Sequence, residues 1–410
     1  MIVCIAGKND IAVKVLRRLV AYQGVAFEIC VVVNSDDRGE NTWQESLKFT
    51  ALDLGIKVLT LDDLYDLDDL LFISVEFDKI IRPSNFKSDC LYNIHFSALP
   101  RHRGTSTAVW PILEGDTKAG VTFHEINAGI DTGDIVDQKL FELPADYTAR
   151  DLYFKLMEEG ENLVIDNVIA ILESDSKPQG LAQDNDLASC HYRKDIDFSN
   201  ISQFIDYSSI GVSRYLRAFH FYEYQLPEIS GIKIYRYKIK DCRSTSAPAT
   251  LTQVDLHTYC LSTIDYDIEL KIDPYEHLYS YCSGNTNLPS GFDWREIDDI
   301  NRLNKSGWSL LMVASYNGNI DAVKKLIRHG ADVNVRNKRG TSALMYSRSC
   351  SDMETAKSCF EFLLSQGANS TTKDVWHRDI ASYMQEDRQY DLIQLLEMHN
   401  AKKVANHKSN

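Results

Sequence analysis

Two short clusters hold the residue types that acyl transfer needs: Asn93-Ile94-His95-Phe96-Ser97-Ala98-Leu99-Pro100 and Gly129-Ile130-Asp131-Thr132-Gly133-Asp134-Ile135. The period of two in extended chain puts Asn93 and His95 on one face of a strand. When an amine attacks a carbonyl carbon, negative charge collects on oxygen and a proton must leave nitrogen. An amide N–H can hold the oxyanion, an imidazole can donate to it or take the proton, and a carboxylate such as Asp131 can orient the imidazole. Neither a metal nor a covalent intermediate is required. Glycines flanking Asp131 would let the backbone carry it close to a ligand. Taken singly, an Asn-x-His pair also fits an ordinary strand, and Gly-Ile-Asp-Thr-Gly an ordinary turn.

The surrounding pattern predicts the elements that position these clusters. Residues 2–6 are apolar, Gly7-Lys8-Asn9-Asp10 makes a turn, and Ile11, Val15, Leu16 and Leu19 recur at helical spacing. Further strands are expected at Ile29–Val33, Val58-Leu59, Leu70–Val75 and Leu91–His95, with a helix over 43–54. Apolar runs separated by helices imply an α/β domain with a parallel sheet covered on both faces. Ligands bind beyond the carboxyl ends of such strands, where Asn93-Ile94-His95 stands. The first loop has one glycine where a dinucleotide fingerprint needs three, so NAD is not implied. A helix over 148–172, with Leu152, Leu156, Leu163, Ile165 and Ile169 inward, closes a first domain of residues 1–185, and 174–186 reads as a polar linker. Residues 186–300 form a small β-rich middle module: 209–220 helical, 232–239 a strand, 249–272 more strand pattern.

Beyond residue 300 a repeat begins. Gly307-Trp308-Ser309-Leu310-Leu311, Val323 to Ile327 and His329-Gly330-Ala331-Asp332 follow an ankyrin unit. Gly340-Thr341-Ser342-Ala343-Leu344 restarts it and, after a four-residue insertion, Leu363-Leu364-Ser365-Gln366-Gly367-Ala368 closes it. A worn third copy runs from Asp374 through Leu395-Leu396 to Ala401, as a capping repeat would. An α-helical ankyrin domain is therefore expected over 301–401.

Composition narrows the function classes. Residues 1–300 carry 28 Lys+Arg against 48 Asp+Glu, and 301–410 carry 16 against 11. A body with net charge −20 is a poor general nucleic-acid binder, because Lys and Arg supply most non-specific affinity. The nine cysteines include no C-x-x-C pair, which points to reduced thiols and away from a disulfide framework or a structural zinc site, so no metal is expected. The opening Met-Ile-Val-Cys-Ile-Ala-Gly reads as a buried strand and not a signal peptide, and no run approaches a membrane span. A cytoplasmic location is the expectation.

Asn93-Ile94-His95, Leu99-Pro100, Arg103-Gly104, Gly120-Val121-Thr122 and the Gly129–Ile135 cluster stand in the order and spacing of folate-dependent formyltransferases. The chain resembles that family over roughly residues 1–185, and weakly through Arg217-Ala218-Phe219. The resemblance implies a Rossmann-like domain, 10-formyltetrahydrofolate as cofactor, and catalysis by Asn93, His95 and Asp131. It also implies a folate pocket near Phe72, Ser74, Val75, Phe77 and Ile80, with Asp131 and Asp134 on its other side.

Members of the family act on initiator methionyl-tRNA, on a purine-pathway glycinamide, or on nucleotide-linked amino sugars. The tRNA enzymes usually have Gly-Ala-Ala-Pro where this chain has Gly104-Thr105-Ser106-Thr107, and they add an RNA-contacting domain. The glycinamide enzymes are much shorter. What remains resembles the sugar N-formyltransferases of bacterial surface-polysaccharide pathways. These are typically homodimers that accept dTDP-linked amino-dideoxy sugars such as dTDP-3-amino-3,6-dideoxyhexose. Arg214, Tyr222 and Tyr224 suit such a ligand, through ring stacking and contacts to a diphosphate, with Lys79 as a phosphate partner. The same run also fits an amphipathic helix followed by a core strand. His124 and Glu125 can approach the sugar amine or form a strand-end surface pair.

Ankyrin repeats usually bind proteins, so partner docking or support of a dimer is one expectation for 301–401. Basic groups near aromatic rings point to another: an auxiliary nucleotide-sugar site formed by Trp308, Arg336, Arg339, Tyr346 and Trp376. Two other readings stay open, a methionyl-tRNA-type enzyme and a non-catalytic scaffold with a retired formyltransferase domain. Intact Asn93, His95 and Asp131 speak against the scaffold.

Overall fold

The computed structural model describes residues 1–174 and 176–408; Asp175, inside the expected linker, lies outside the described residues. In chain order the first elements are β1 (Ile2–Gly7), α1 (Asn9–Ala21), β2 (Glu28–Val33), α2 (Leu47–Asp53), β3 (Lys57–Val58), β4 (Leu70–Val75) and β5 (Leu91–His95). They continue as β6 (Arg103–Gly104), α3 (Trp110–Glu114), β7 (Lys118–Glu125), β8 (Ile135–Glu142), α4 (Ala149–Ser174) and β9 (Cys190–His191). The main sheet has the order β3-β2-β1-β4-β5-β7-β8. Its first five strands are parallel, as the apolar runs predict. β7 and β8 differ, because they join antiparallel at one edge.

Alternation along β1 explains the two-faced burial. Val3 and Ile5 enter one core with the inward face of α1, while Cys4 and Ala6 enter the core on the sheet's other side. α2 begins later than expected because Ser46 caps it, its Oγ accepting from Phe49 N at 3.0 Å. α4 buries Leu152, Leu156, Leu163 and Ile165 as predicted, while Ile169 is only partly buried against the same core.

The middle segment contains α5 (Ser209–Ala218), then β10 (Glu228–Ile229), β11 (Ile232–Arg243), β12 (Leu251–Gln253), β13 (Thr258–Leu261) and β14 (Tyr266–Ile272). The last five form a second sheet in the order β10-β11-β14-β13-β12, antiparallel throughout. It is not a separate core: Val212, Leu216, Ile234, Leu261, Ile268 and Leu270 share one cluster with Val3, Ile5 and Ile94. By packing, the chain divides into one unit of Met1–Glu40 with Glu45–Ile272 and another of Asn41–Gln44 with Asp273–Asn410. Thus part of the segment expected to be β-rich goes with the repeats, and it is helical: α6 (Pro274–Cys282) is capped by Asp273.

In the second unit three helix pairs follow: α7 (Leu310–Tyr316) with α8 (Ile320–Arg328), α9 (Ala343–Ser347) with α10 (Met353–Ser365), and α11 (Ile380–Glu386) with α12 (Tyr390–Lys408). The repeat is physical as well as sequential. Ser309, Ser342 and Asp379 each cap the first helix of a pair, accepting from Met312 N, Met345 N and Ser382 N. Asn304, Asn337 and Asp374 each close the preceding turn with two backbone amides. The insertion lies in α10, which has 13 residues against 9 in α8. Among the described residues no helix is long and apolar enough to cross a membrane.

Candidate active site

β5 brings Asn93 and His95 to its carboxyl end between two neighbours. Asn93 pairs with Ser74 of parallel β4 on one side and with His124 of antiparallel β7 on the other. The Gly129–Ile135 cluster is the link between β7 and β8, and it returns Asp131 to the same place. Asp131 adopts φ 53°, a left-handed conformation that aspartate tolerates better than most residues. Gly133 is required by space, since a Cβ there would stand 1.8 Å from Glu125 O.

The three expected residues gather in one group, with Asp131 between the other two. His95 Nδ1 lies 3.5 Å from Asp131 Oδ2, and Asn93 Nδ2 lies 3.4 Å from Asp131 Oδ1. His95 Nε2 donates to the His102 carbonyl at 2.9 Å. Neutral His95 therefore carries its hydrogen on Nε2 and presents a bare Nδ1 toward Asp131. Burial pushes His95 toward the neutral form, against the opposing Asp131 charge. Burial pushes the Asp131 carboxyl up, but His95, His124 and the Gly104 N–H together hold it well below the usual carboxylate range. The site thus pairs an ionised carboxylate with an imidazole able to take a proton at Nδ1.

His124 joins the site, so the strand-end surface reading does not hold for it: it is 2% exposed. Its Nδ1 donates to Glu125 O at 2.7 Å, which leaves Nε2 to accept from Asn93 Nδ2 at 3.1 Å. Both Asn93 amide hydrogens are consequently engaged, one on His124 and one in the longer bond to Asp131. Holding an oxyanion requires Asn93 to release the longer one.

Other supports come from segments that no motif marks. Gly104 N donates to Asp131 Oδ2 at 2.8 Å. Gln183 Nε2 donates to Asp131 O at 2.9 Å and Gly133 O at 2.7 Å, and Gln183 Oε1 accepts from Arg103 Nε and Nη2 at 3.0 and 2.7 Å. The expected polar linker is therefore packed at this point, because its side-chain amide satisfies turn carbonyls. Thr122 Oγ1 donates to Ser97 O and accepts from Leu99 N and Gln138 Nε2, pinning the loop after β5. Spacing gave no signal for Gln183 or Gln138; Arg103-Gly104 and Thr122 do belong to the motif segments.

A cavity of about 400 Å³ opens beside the triad. Ser74, Phe77 and Ile80 of the expected folate pocket line it, as does Lys79, expected as a phosphate partner, together with Glu76, Ile81, Ile126 and Ile130. Glu76 accepts from Asn9 Nδ2 at 2.9 Å and Tyr153 Oη at 3.0 Å, while burial pushes its carboxyl up. Phe72 and Val75 are instead fully buried in the two core clusters, because β4 lies inside the sheet and is covered on both faces. Asp134 is exposed, and its part is a backbone one: its carbonyl accepts from Glu125 N.

The expected acceptor residues are divided. Tyr222 lies under the Arg150 guanidinium, 4.3 Å from ring centroid to Cζ, and Arg150 forks onto buried Glu223 at 2.8–2.9 Å. Tyr224 is 57% exposed, does not line the cavity, and meets Phe221 edge-on with ring centroids 4.9 Å apart. Arg214 is away from the cavity wall. It packs on the Gly115 turn that ends α3, where a Cβ would stand 2.1 Å from its Nη2.

In the repeats, Trp308 and Tyr346 meet with ring centroids 4.1 Å apart. Arg336 donates to the carbonyls of Gly340 and Lys373, and Arg339 Nε donates to Asn41 O. Trp376 belongs to the next inter-repeat turn, where its N donates to Asp374.

Comparison with known proteins gives this geometry a family. The formyl transferase model matches residues 1–168, and the model for ankyrin repeats in three copies matches residues 282–374. WlaRD, a sugar 3N-formyl transferase solved with dTDP and 5-N-formyl-THF, is 39% identical, with 66% of this chain and 97% of that one covered at a TM-score of 0.60. The N-formyltransferase of Helicobacter canadensis, solved with folinic acid and dTDP-3-aminofucose, is 37% identical over 67% of this chain and all of that one, also at 0.60. The methionyl-tRNA formyltransferase of Clostridioides difficile (strain 630) is 26% identical over 305 residues, which are 68% of this chain and 96% of that protein. With Asn93, His95 and Asp131 gathered beside one cavity and near-complete coverage of two relatives above 35% identity, this chain belongs to the formyltransferase family and carries a C-terminal ankyrin module.

Proposed function

We propose that this chain transfers a formyl group from 10-formyltetrahydrofolate to the amine of a dTDP-linked amino-dideoxy sugar, in the synthesis of a surface polysaccharide. The observation that carries the acceptor is the 37–39% identity across nearly the whole length of two sugar N-formyltransferases, set against 26% along one methionyl-tRNA formyltransferase and 32% over little more than half of two others. The acidic body supports the same choice, since tRNA binding draws on positive charge.

The cavity suits a flat heteroaromatic ligand with polar edges: Phe77, Ile81, Ile126 and Ile130 offer apolar faces, and Asn127 and Asp131 offer polar atoms. When bound, the folate supplies an electrophilic formyl carbon. His95 Nδ1 takes the proton that the attacking amine loses and returns it to the folate nitrogen as the carbon–nitrogen bond to tetrahydrofolate breaks. Asp131 stabilises the imidazolium so formed, and Asn93 swings an N–H from Asp131 to the developing oxyanion. His124 keeps Asn93 in register. Tyr222 and Tyr224, braced by Arg150 and Glu223, and Lys79 meet the nucleotide.

The test is an assay of the pure protein with 10-formyltetrahydrofolate and a panel of dTDP-3-amino sugars, dTDP-4-amino sugars and initiator methionyl-tRNA, reading tetrahydrofolate release. Turnover with a dTDP-amino sugar is expected, and turnover with methionyl-tRNA alone would overturn the reading. The His95→Asn variant should lose transfer while melting normally. A homodimer acting in the cytoplasm completes the proposal.

For the ankyrin module, the Trp308–Tyr346 pair favours a second nucleotide-sugar site over protein docking alone. Calorimetry on the full chain should then give two dTDP-sugar sites, reduced to one in Trp308→Ala. A single site in both proteins leaves partner docking as the module's role.

A further inference from the structure

Behind the loop that holds His95, side chains from three separate segments converge. His102 Nδ1, His191 Nε2 and a carboxylate oxygen of Glu114 all lie within 4.8 Å of one another. None of the three belongs to the cavity wall or to the proposed chemistry. We propose that His102, His191 and Glu114 form a site for a divalent transition metal of the zinc class, which clamps the active-site loop.

The surroundings prepare each side chain as a ligand. Asp116 Oδ2 accepts from His102 Nε2 at 2.8 Å, which fixes the tautomer and puts the lone pair on Nδ1. A carboxylate behind a histidine is the usual outer partner of a metal-bound imidazole, fixing its orientation and raising its basicity. His191 is held flat by Trp110, with ring centroids 4.0 Å apart and planes within 10°. His102 Nδ1 and His191 Nε2 are 3.1 Å apart, near the roughly 3.3 Å that two nitrogens span on a tetrahedral zinc with bonds of about 2.0–2.1 Å. Without metal, one imidazole N–H bridges the two nitrogens. A metal replaces that bridge once neutral His191 moves its hydrogen to Nδ1.

Glu114 is oriented too. Arg101 Nη2 binds its Oε2 at 2.8 Å, and Oε1 faces His191 Nε2 at 3.7 Å. Two imidazoles and one carboxylate suit zinc, and the exposed side of Glu114 leaves the fourth position to water. The absence of a Cys-x-x-Cys pair has no bearing on such a site, whose ligands are not cysteines.

The place of the site gives it a task. β6 and β9 run parallel, pairing Arg103 with Cys190 and Gly104 with His191. The same short loop offers the His102 carbonyl to His95 and the Gly104 N–H to Asp131. An ion joining His102 to His191 therefore cross-links the two segments that set both groups. It acts at a distance from the reacting carbon, as a structural clamp.

The experiment uses the full-length protein, stripped with a chelator and titrated with zinc(II) against a chromophoric competitor, with thermal melting in parallel. One zinc per chain and a higher Tm are expected. His191→Gln should abolish that binding, and Asp116→Asn should weaken it about 10- to 100-fold. Cobalt(II) should give tetrahedral ligand-field bands without a thiolate charge-transfer band. Should His191→Gln fail to fold, Glu114→Gln, at a half-exposed position, decides by the same loss of affinity. Zinc affinity unchanged in the variants, a thiolate band, or no stoichiometric binding would each overturn the proposal.

Discussion

Replacing Gly133 with alanine should disable the site without touching any catalytic side chain. The new Cβ would stand 1.8 Å from Glu125 O and 2.6 Å from Glu125 C, both backbone atoms of β7. Neither can rotate away, so the turn must retreat by more than about 1 Å to restore ordinary contact. Two bonds resist the retreat: Gln183 Nε2 to Gly133 O at 2.7 Å, and Glu125 N to Asp134 O at 2.9 Å. Overpacking of this kind costs about 1–3 kcal/mol of stability. Asp131 lies two residues back on the same turn and moves with it, and a misplacement of about 1 Å costs on the order of 100-fold in rate. That factor corresponds to about 2.7 kcal/mol of lost transition-state stabilisation. The assay is kcat/KM for formyl transfer, with thermal melting on the same preparation to show that the variant is folded. A folded variant within about threefold of wild type would refute the claim that this turn's backbone sets the Asp131 position.

Asp131→Asn should lower the rate by about 100-fold or more, since an amide cannot stabilise the imidazolium as a carboxylate does. Because the folded Asp131 carboxyl is held below its unfolded value of about 3.9, its stabilising effect is complete above that value and is lost as pH falls toward the folded one. Urea melts should show the gap between wild type and Asp131→Asn constant near neutrality and closing below about pH 4. Gln183→Ala leaves two turn carbonyls and Arg103 short of a partner, for a loss of about 1–3 kcal/mol in denaturant melts, and should lower kcat more than it raises KM. Arg150→Met strands Glu223, only 4% exposed, as an unpaired buried carboxylate. A loss of about 3–5 kcal/mol is expected, with a raised KM for the acceptor as the Tyr222 segment loosens.

Long periodic segments were the most legible. The runs that became β1, β2, β4 and β5, and the helix that became α4, carry burial patterns strong enough to read without partners. Edge strands were not: β8 is only half-buried along its length, so its hydrophobic pattern is faint, and its antiparallel direction follows from the chain's return through the Asp131 turn. The helix α6 escaped notice because its Tyr-rich sequence, PYEHLYSYC, suits a strand as well. Within the site, residue type and spacing single out Asn93, His95 and Asp131, which the fold gathers beside one cavity. The resemblance puts Phe72 and Val75 in the folate pocket, and the sequence of a strand buried on both faces does not reveal which of its side chains reach a cavity.

The sequence by itself determined the chemistry available, an amide, an imidazole and a carboxylate with glycines beside them, and the repeat that makes the C-terminal helices. Those are properties of residue type and of local period, which a chain carries before it folds. Only the tertiary structure decided that His124 buttresses Asn93, that Gln183 fixes the Asp131 turn, that Arg214 stands apart, and that His102, Glu114 and His191 meet. Each of these depends on bringing together segments tens of residues apart, and hydrogen-bond geometry on the scale of 3 Å has no counterpart in sequence spacing.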